Sequence, residues 1–197
     1  MSFEIDVSCQ SKTQQVNLKL LQAAIEHGLR EEQVRSAVLS ITIVDNAAIH
    51  VLNKQHLNHD FPTDVISFQL DWTSGTSNTP VPESSATGRS AKCSIEGEII
   101  VSAEYAAETA LSVGWTTQDE LTLYAIHGLL HICGYDDLTP VEKDIMRARE
   151  RAVLRGLGLS PQYPADSADN SYPEDNEPPG ATNCHSTSVA EIEEDDQ

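Results

Sequence analysis

A helix has to run through His127 and His131, and it has to stop before Asp137. In the stretch His127-Gly128-Leu129-Leu130-His131-Ile132-Cys133-Gly134-Tyr135-Asp136-Asp137 the two histidines stand four apart. At 3.6 residues per turn they project from one helix face. Gly134 follows three residues after His131, where a helix can end in a left-handed residue that glycine adopts without strain. The chain then swings back and Asp137 returns as a third ligand. Three protein ligands leave a fourth position for water, which is the arrangement of a catalytic zinc site and not of a closed structural one. The residues therefore point to a hydrolase whose reactive group is a metal-bound water.

The segments around this motif predict alternating strands and helices. Phe3, Ile5, Val7 and Cys9 alternate with polar residues, as in a half-buried strand, and Val16–Gly28 places apolar residues at helical spacing with Gly28 near its end. Ala37–Val44 is β-branched and reads as a strand, followed by a short helix to about Gln55 capped by Asp45 or Asn46. Asp64–Leu70 and Glu98–Ser102 are further strands. Between them Trp72–Ser94 is rich in Ser, Thr, Gly and Pro and reads as a loop insertion. Ala103–Val113 is helical, Thr117 with Glu120 resembles a capping box for the motif helix, and Thr139-Pro140-x-Glu142 opens a last helix to about Leu157. The expected architecture is α/β (α+β): a small mixed sheet of about four strands, with the metal helix in the C-terminal half.

Composition divides the chain. From Ser160 onward there are ten acidic residues and no Lys or Arg, so residues 1–159 carry −9 of the net charge of −19. The segment 160–197 is expected to be a disordered acidic tail behind a domain spanning residues 1–159. Cys9, Cys93, Cys133 and Cys184 form no CxxC pair, and Cys133, inside the motif, reads as a small buried helix residue. Without a signal peptide or an apolar run of transmembrane length, the chain reads as cytoplasmic with no membrane partner. The acidic balance argues against a strongly electrostatic nucleic-acid binder. Lys143, Arg147, Arg151 and Arg155 nevertheless recur every four residues on the last helix. Such a stripe serves phosphate contact or is simply a solvated face, and Glu142, Asp144 and Glu150 favour the latter.

Two histidines at helical spacing also occur as ordinary surface pairs. The eleven-residue period His-x₃-His-x₂-Gly-x₂-ligand is shared with metzincin proteases, which favours Asp137 over Asp136, but those enzymes carry a glutamate base where this chain has Gly128. The whole motif closely resembles the HGxLHLxGYDH signature of the YbeY family. Leu52-Asn53, with Asp60-x-Pro62-Thr63-Asp64-Val65-Ile66-Ser67-Phe68, is similar to that family's LN…DxPTDVLSF block, and Gly97-Glu98-Ile99-Ile100-Val101-Ser102 to its GDIVIS strand. The resemblance covers about residues 3–159, the insertion excepted.

What the resemblance implies is a single-strand-specific, zinc-dependent endoribonuclease of ribosomal RNA maturation, including 16S rRNA 3′-end processing and ribosome biogenesis. RNA would be its partner, with ribosomal particles or ribosomal proteins besides. His127, His131 and Asp137 would hold one Zn²⁺, with assistance from His59 and substrate contacts from Asp64, Ser67, Arg147 and Arg151. Two departures stand out. The third ligand is Asp137 where the family has histidine, and His56-Leu57 stands where the family has a Tyr-Arg pair, so that His56 or His59 takes the arginine's place or the activity differs. The rivals are a metzincin-like metalloprotease, a ribosome-assembly factor that keeps the metal without catalysis, and an iron centre of the two-histidine, one-carboxylate kind.

Overall fold

The computed structural model describes residues 1–74, 89–161, 163 and, for the backbone, 189–190. Strands β1 (Ser2–Cys9), β2 (Ser36–Val44), β3 (Val65–Thr73) and β4 (Ser94–Ser102) form a mixed sheet in the order β1-β2-β4-β3. The two-residue β5 (Val189–Ala190) lies beside β3. β1 and β2, joined through a helix, are parallel, β4 is parallel to β2, and β3 runs antiparallel to β4. The helices are α1 (Leu18–Glu31), α2 (Asn46–Leu57), α3 (Ala103–Val113), α4 (Thr117–Ile132) and α5 (Pro140–Gly156). No described helix is long and apolar enough to cross a membrane.

Strand alternation assigns the two faces of the sheet. Leu39, Ile41 and Ile43 of β2, Ile99 and Val101 of β4 and Val65 of β3 join α1, α4 and α5 in the main core. Ile66 and Phe68 point the other way and pack with Val44 and Ile49 beneath α2. α4 is therefore a central helix, buried from Glu120 to Ile126 and again from Gly128 to Ile132. Two glycines let it lie close to the sheet. A Cβ on Gly128 would stand 3.0 Å from Ile99 Cγ2 and 3.0 Å from Val65 Cγ2, and one on Gly97 would stand 2.7 Å from both Ile132 Cδ1 and the Phe68 carbonyl oxygen.

Several boundaries differ from the sequence reading for identifiable reasons. α1 runs through Gly28 to Glu31, because Gly28 is a contact point for Leu129, 2.7 Å from where its Cβ would be, and not a terminator. The capping box of α4 uses Thr116 and Asp119, one residue earlier than expected, and Glu120 is buried instead. Asp45 is the N-cap residue of α2, but its carboxylate accepts from Ser11, Thr13 and the Lys12 N–H, tying down the chain after β1. β3 and β4 extend to Thr73 and back to Ser94, so Trp72 and Thr73 belong to a strand and not to the insertion. Residues 75–88 of that insertion lie outside the described residues, as does most of the acidic segment expected to be disordered. Tyr163, inside that segment, packs on the core.

Candidate metal centre

α4 ends in a Schellman motif. Gly134 sits at φ +87°, its N–H donates to the His131 carbonyl at 2.9 Å, and the Tyr135 N–H donates to that of Leu130 at 3.0 Å. The turn that follows is fixed from both sides. Tyr135 donates its hydroxyl to the fully buried Glu32, which also accepts from Arg149. Arg89 lies over the Tyr135 ring at 4.8 Å and donates to Gly134 O and Glu142. Asp136 uses its own Oδ1 to accept the N–H groups of Asp137 and Leu138, at 2.7 and 3.2 Å. That local ring turns Asp137 toward the histidines, which is why the second aspartate and not the first joins them.

His127, His131 and Asp137 offer ligand atoms all within 4.8 Å of one another. The two Nε2 atoms are 3.1 Å apart, and each is 3.8 Å from an Asp137 oxygen. Ligand atoms on a tetrahedral zinc at about 2.05 Å stand roughly 3.3 Å apart, so the spacing fits one ion. Both Nδ1 atoms are engaged behind the site: His127 donates to Glu150 Oε1 at 2.5 Å and His131 to the Tyr135 carbonyl at 3.1 Å. Those bonds leave the Nε2 lone pairs converging on one point, the outer arrangement that metal-binding histidines have. Asp137 Oδ1 is buried with no hydrogen-bond partner, an orphaned acceptor that a cation would satisfy.

Burial and neighbouring charges shift the pKa values of all three groups. Burial alone would lower the His127 pKa, but the hydrogen bond and charge of Glu150, with Asp64 and Asp137, raise it. Burial, followed by the charge of His127, pushes His131 down to about 3. Burial also raises Asp137.

Gly128, at the position of the metzincin base, faces the sheet with no room for a side chain. Cys133 is fully buried, and burial raises its thiol pKa far above the ordinary range. It is not in the metal group, as expected of a packing residue. None of the other sequence candidates belongs to that three-residue group. His59 stacks on Phe61 with ring centres 5.3 Å apart, and His56 meets Phe68 edge-on. Leu57 packs in the apolar cluster under α2, so the position equivalent to the family's arginine offers only hydrocarbon. Asp64 accepts from Thr63 and from the Val65 N–H at the head of β3, close enough for its charge to act on His127. Ser67 is fully buried and faces Gly128 of α4. Arg147 and Arg151 both lie over the Tyr163 ring.

Glu150 is the residue that sequence reasoning misplaced, as part of a solvated face. It is 2% exposed. The signal was its spacing, since Met146, Glu150, Val153 and Leu154 form the inward stripe of α5 and a carboxylate in such a stripe needs a partner.

A model of the family described as Endoribonuclease YbeY matches residues 5–158. Proteins named Endoribonuclease YbeY are similar over most of their length. That of Salinibacter ruber is 35% identical over 141 residues, 72% of this chain and 83% of that protein. That of Rhodopirellula baltica is 35% identical over 158 residues, 79% and 71%, and that of Bacillus licheniformis 36% over 143 residues, 72% and 84%. The matched region holds all five described helices together with His127, His131 and Asp137, and on that match the chain belongs to the endoribonuclease YbeY family.

Proposed function

We propose that this chain is a zinc-dependent endoribonuclease specific for single-stranded RNA, acting in the cytoplasm on ribosomal RNA, with 16S 3′-end maturation as its task and ribosomal particles as its setting. One observation carries the metal dependence: His127, His131 and Asp137 converge within 4.8 Å, while both Nδ1 atoms are held from behind. The names of its relatives carry the substrate class.

A bound zinc ion supplies Lewis-acid polarisation of a phosphoryl oxygen and makes water acidic enough to react near neutral pH. The chain supplies orientation. Glu150 holds the Nδ1 proton of His127, the Tyr135 carbonyl holds that of His131, and the Asp136 turn aims Asp137. No side chain at position 128 can serve as base, so proton movement during attack falls to groups at the mouth of the site, of which Asp64 and His59 are the candidates. Phe61, 42% exposed and stacked with His59, suits an unpaired base, because stacking recognises single strands without reading sequence. Arg147 and Arg151 add positive charge on α5 for the phosphate backbone.

The packing of Gly128 counts against a protease. The apolar setting of Leu57 favours, as the second reading, an assembly factor that binds RNA and metal without cutting. Purified wild type and His127→Ala should be incubated with single-stranded RNA, the matching duplex and casein. We expect cleavage of the single strand alone, lost in the variant. Binding without cleavage would favour the assembly factor, and casein cleavage would reject the proposal.

A further inference from the structure

The family match stops at residue 158, but contacts to the metal centre continue beyond it. α5 ends in a second Schellman turn: Gly158 has φ +77°, its N–H donates to Arg155 O at 3.0 Å, and the Leu159 N–H donates to Leu154 O at 2.9 Å. The chain reverses there, and Leu157, Leu159 and Tyr163 pack back on the core. The Tyr163 ring is held by two guanidinium groups, Arg147 at 4.6 Å and Arg151 at 4.8 Å from its centre. Those arginines are one turn apart on α5, so both reach the same ring. The Tyr163 hydroxyl donates to Glu150 Oε2. The other oxygen of the same carboxylate accepts the Nδ1 proton of His127.

We propose that Tyr163 is a positioning residue of the metal centre, holding Glu150 so that Glu150 holds the His127 ring with its Nε2 toward the ion. The proposal rests on the reading that His127, His131 and Asp137 bind a metal. A carboxylate as buried as Glu150 is penalised for every oxygen left without a donor. Its terminal torsion is also a broad one, so a single bond to His127 leaves the group free to turn. A second donor on Oε2 satisfies the remaining oxygen and fixes that rotation. The segment after α5, read from composition as the start of an acidic tail, thereby supplies a part of the site that lies beyond the family match.

The test uses the full chain as wild type, Tyr163→Phe and His127→Ala. Phenylalanine keeps the ring that Arg147 and Arg151 contact and removes only the hydroxyl. Zinc affinity is read by competition with a fluorescent chelator, and ligand geometry by the visible absorption of the cobalt-loaded protein. Outer partners of zinc histidines contribute about tenfold to a hundredfold in affinity, and a residue acting through such a partner belongs at the lower end. The expected result for Tyr163→Phe is zinc binding weaker by about tenfold with an altered cobalt spectrum. Wild-type affinity and an unchanged spectrum in Tyr163→Phe, with the ion lost in His127→Ala, would overturn the role of Tyr163 alone. A wild type that takes up no zinc, or a His127→Ala variant that binds it equally well, would overturn the metal site and this inference together.

Discussion

Gly128 separates two explanations of the motif, a lost catalytic base and a packing contact, and its substitution tells them apart. In Gly128→Ala the new methyl group would stand 3.0 Å from Ile99 Cγ2 and from Val65 Cγ2. Both neighbours are β-branched and stiff at χ1, and each belongs to a strand paired on both sides or locked under the helix. Alanine gains about 1 kcal/mol over glycine in a helix interior, while overpacking a core costs about 1–3 kcal/mol. The net expectation is a loss of up to about 2 kcal/mol, which lowers the melting temperature by roughly 4–8 °C at 2–4 °C per kcal/mol for a chain of this size. Gly128→Glu recreates the metzincin sequence but drives a carboxylate into the same gap with no partner. Its cost exceeds about 4 kcal/mol, in the range reserved for buried unpaired charges, so little folded protein should remain. Thermal unfolding followed by circular dichroism measures both. A Gly128→Glu protein that melts with the wild type would refute the packing argument and restore the position to the active site.

Burial raises the Glu120 pKa to about 7, with Asp64 and Asp119 adding to the shift. A raised carboxylate favours folding below its unfolded value near 4.5, and that contribution is lost as pH climbs through 7. Glu120→Gln removes this dependence, so urea unfolding should show the variant gaining on wild type by up to about 3 kcal/mol between pH 4.5 and pH 8; parallel curves would contradict it. Gly134→Ala meets no atom within 4 Å, yet it forces alanine to φ +87°. About 1 kcal/mol of backbone strain should lower the melting temperature by roughly 2–4 °C, and an unchanged melt would speak against the turn. Phe61→Ala should weaken binding of single-stranded RNA by about 1–3 kcal/mol with zinc affinity unchanged; equal RNA affinity would remove the stacking role.

The grouping of His127, His131 and Asp137 was legible because it is local. The three residues fall within eleven positions, and helix spacing, a C-terminal glycine and an Asx turn bring them near one another, while Glu32, Arg89, Arg149 and Glu150 from elsewhere in the chain hold the turn and the His127 ring. The strand order alternated clearly enough to place the sheet, since β-branched runs such as Ser36–Val44 are buried on their inward face. What escaped the sequence depends on tertiary contact. Gly128 falls in the buried stripe of its helix by spacing, but only β3 and β4 show that Val65 and Ile99 are the side chains beneath it. Glu150, 23 residues beyond His127, was averaged into a charged helix although its stripe was apolar. Tyr163 was hidden by the composition around it, and Leu57 became informative only once its apolar surroundings were visible. Gly28 has the same lesson in reverse, being a close contact that sequence position made look like a helix end.

The central claim is that RNA cleavage depends on one ion held by His127, His131 and Asp137. It is tested most directly by stripping the wild-type protein with a chelator, adding zinc back in measured steps, and following single-stranded RNA cleavage alongside bound metal. The account predicts loss of cleavage on stripping and recovery that saturates at one zinc per chain, with no recovery in Asp137→Ala. Cleavage that persists in the stripped protein would contradict it.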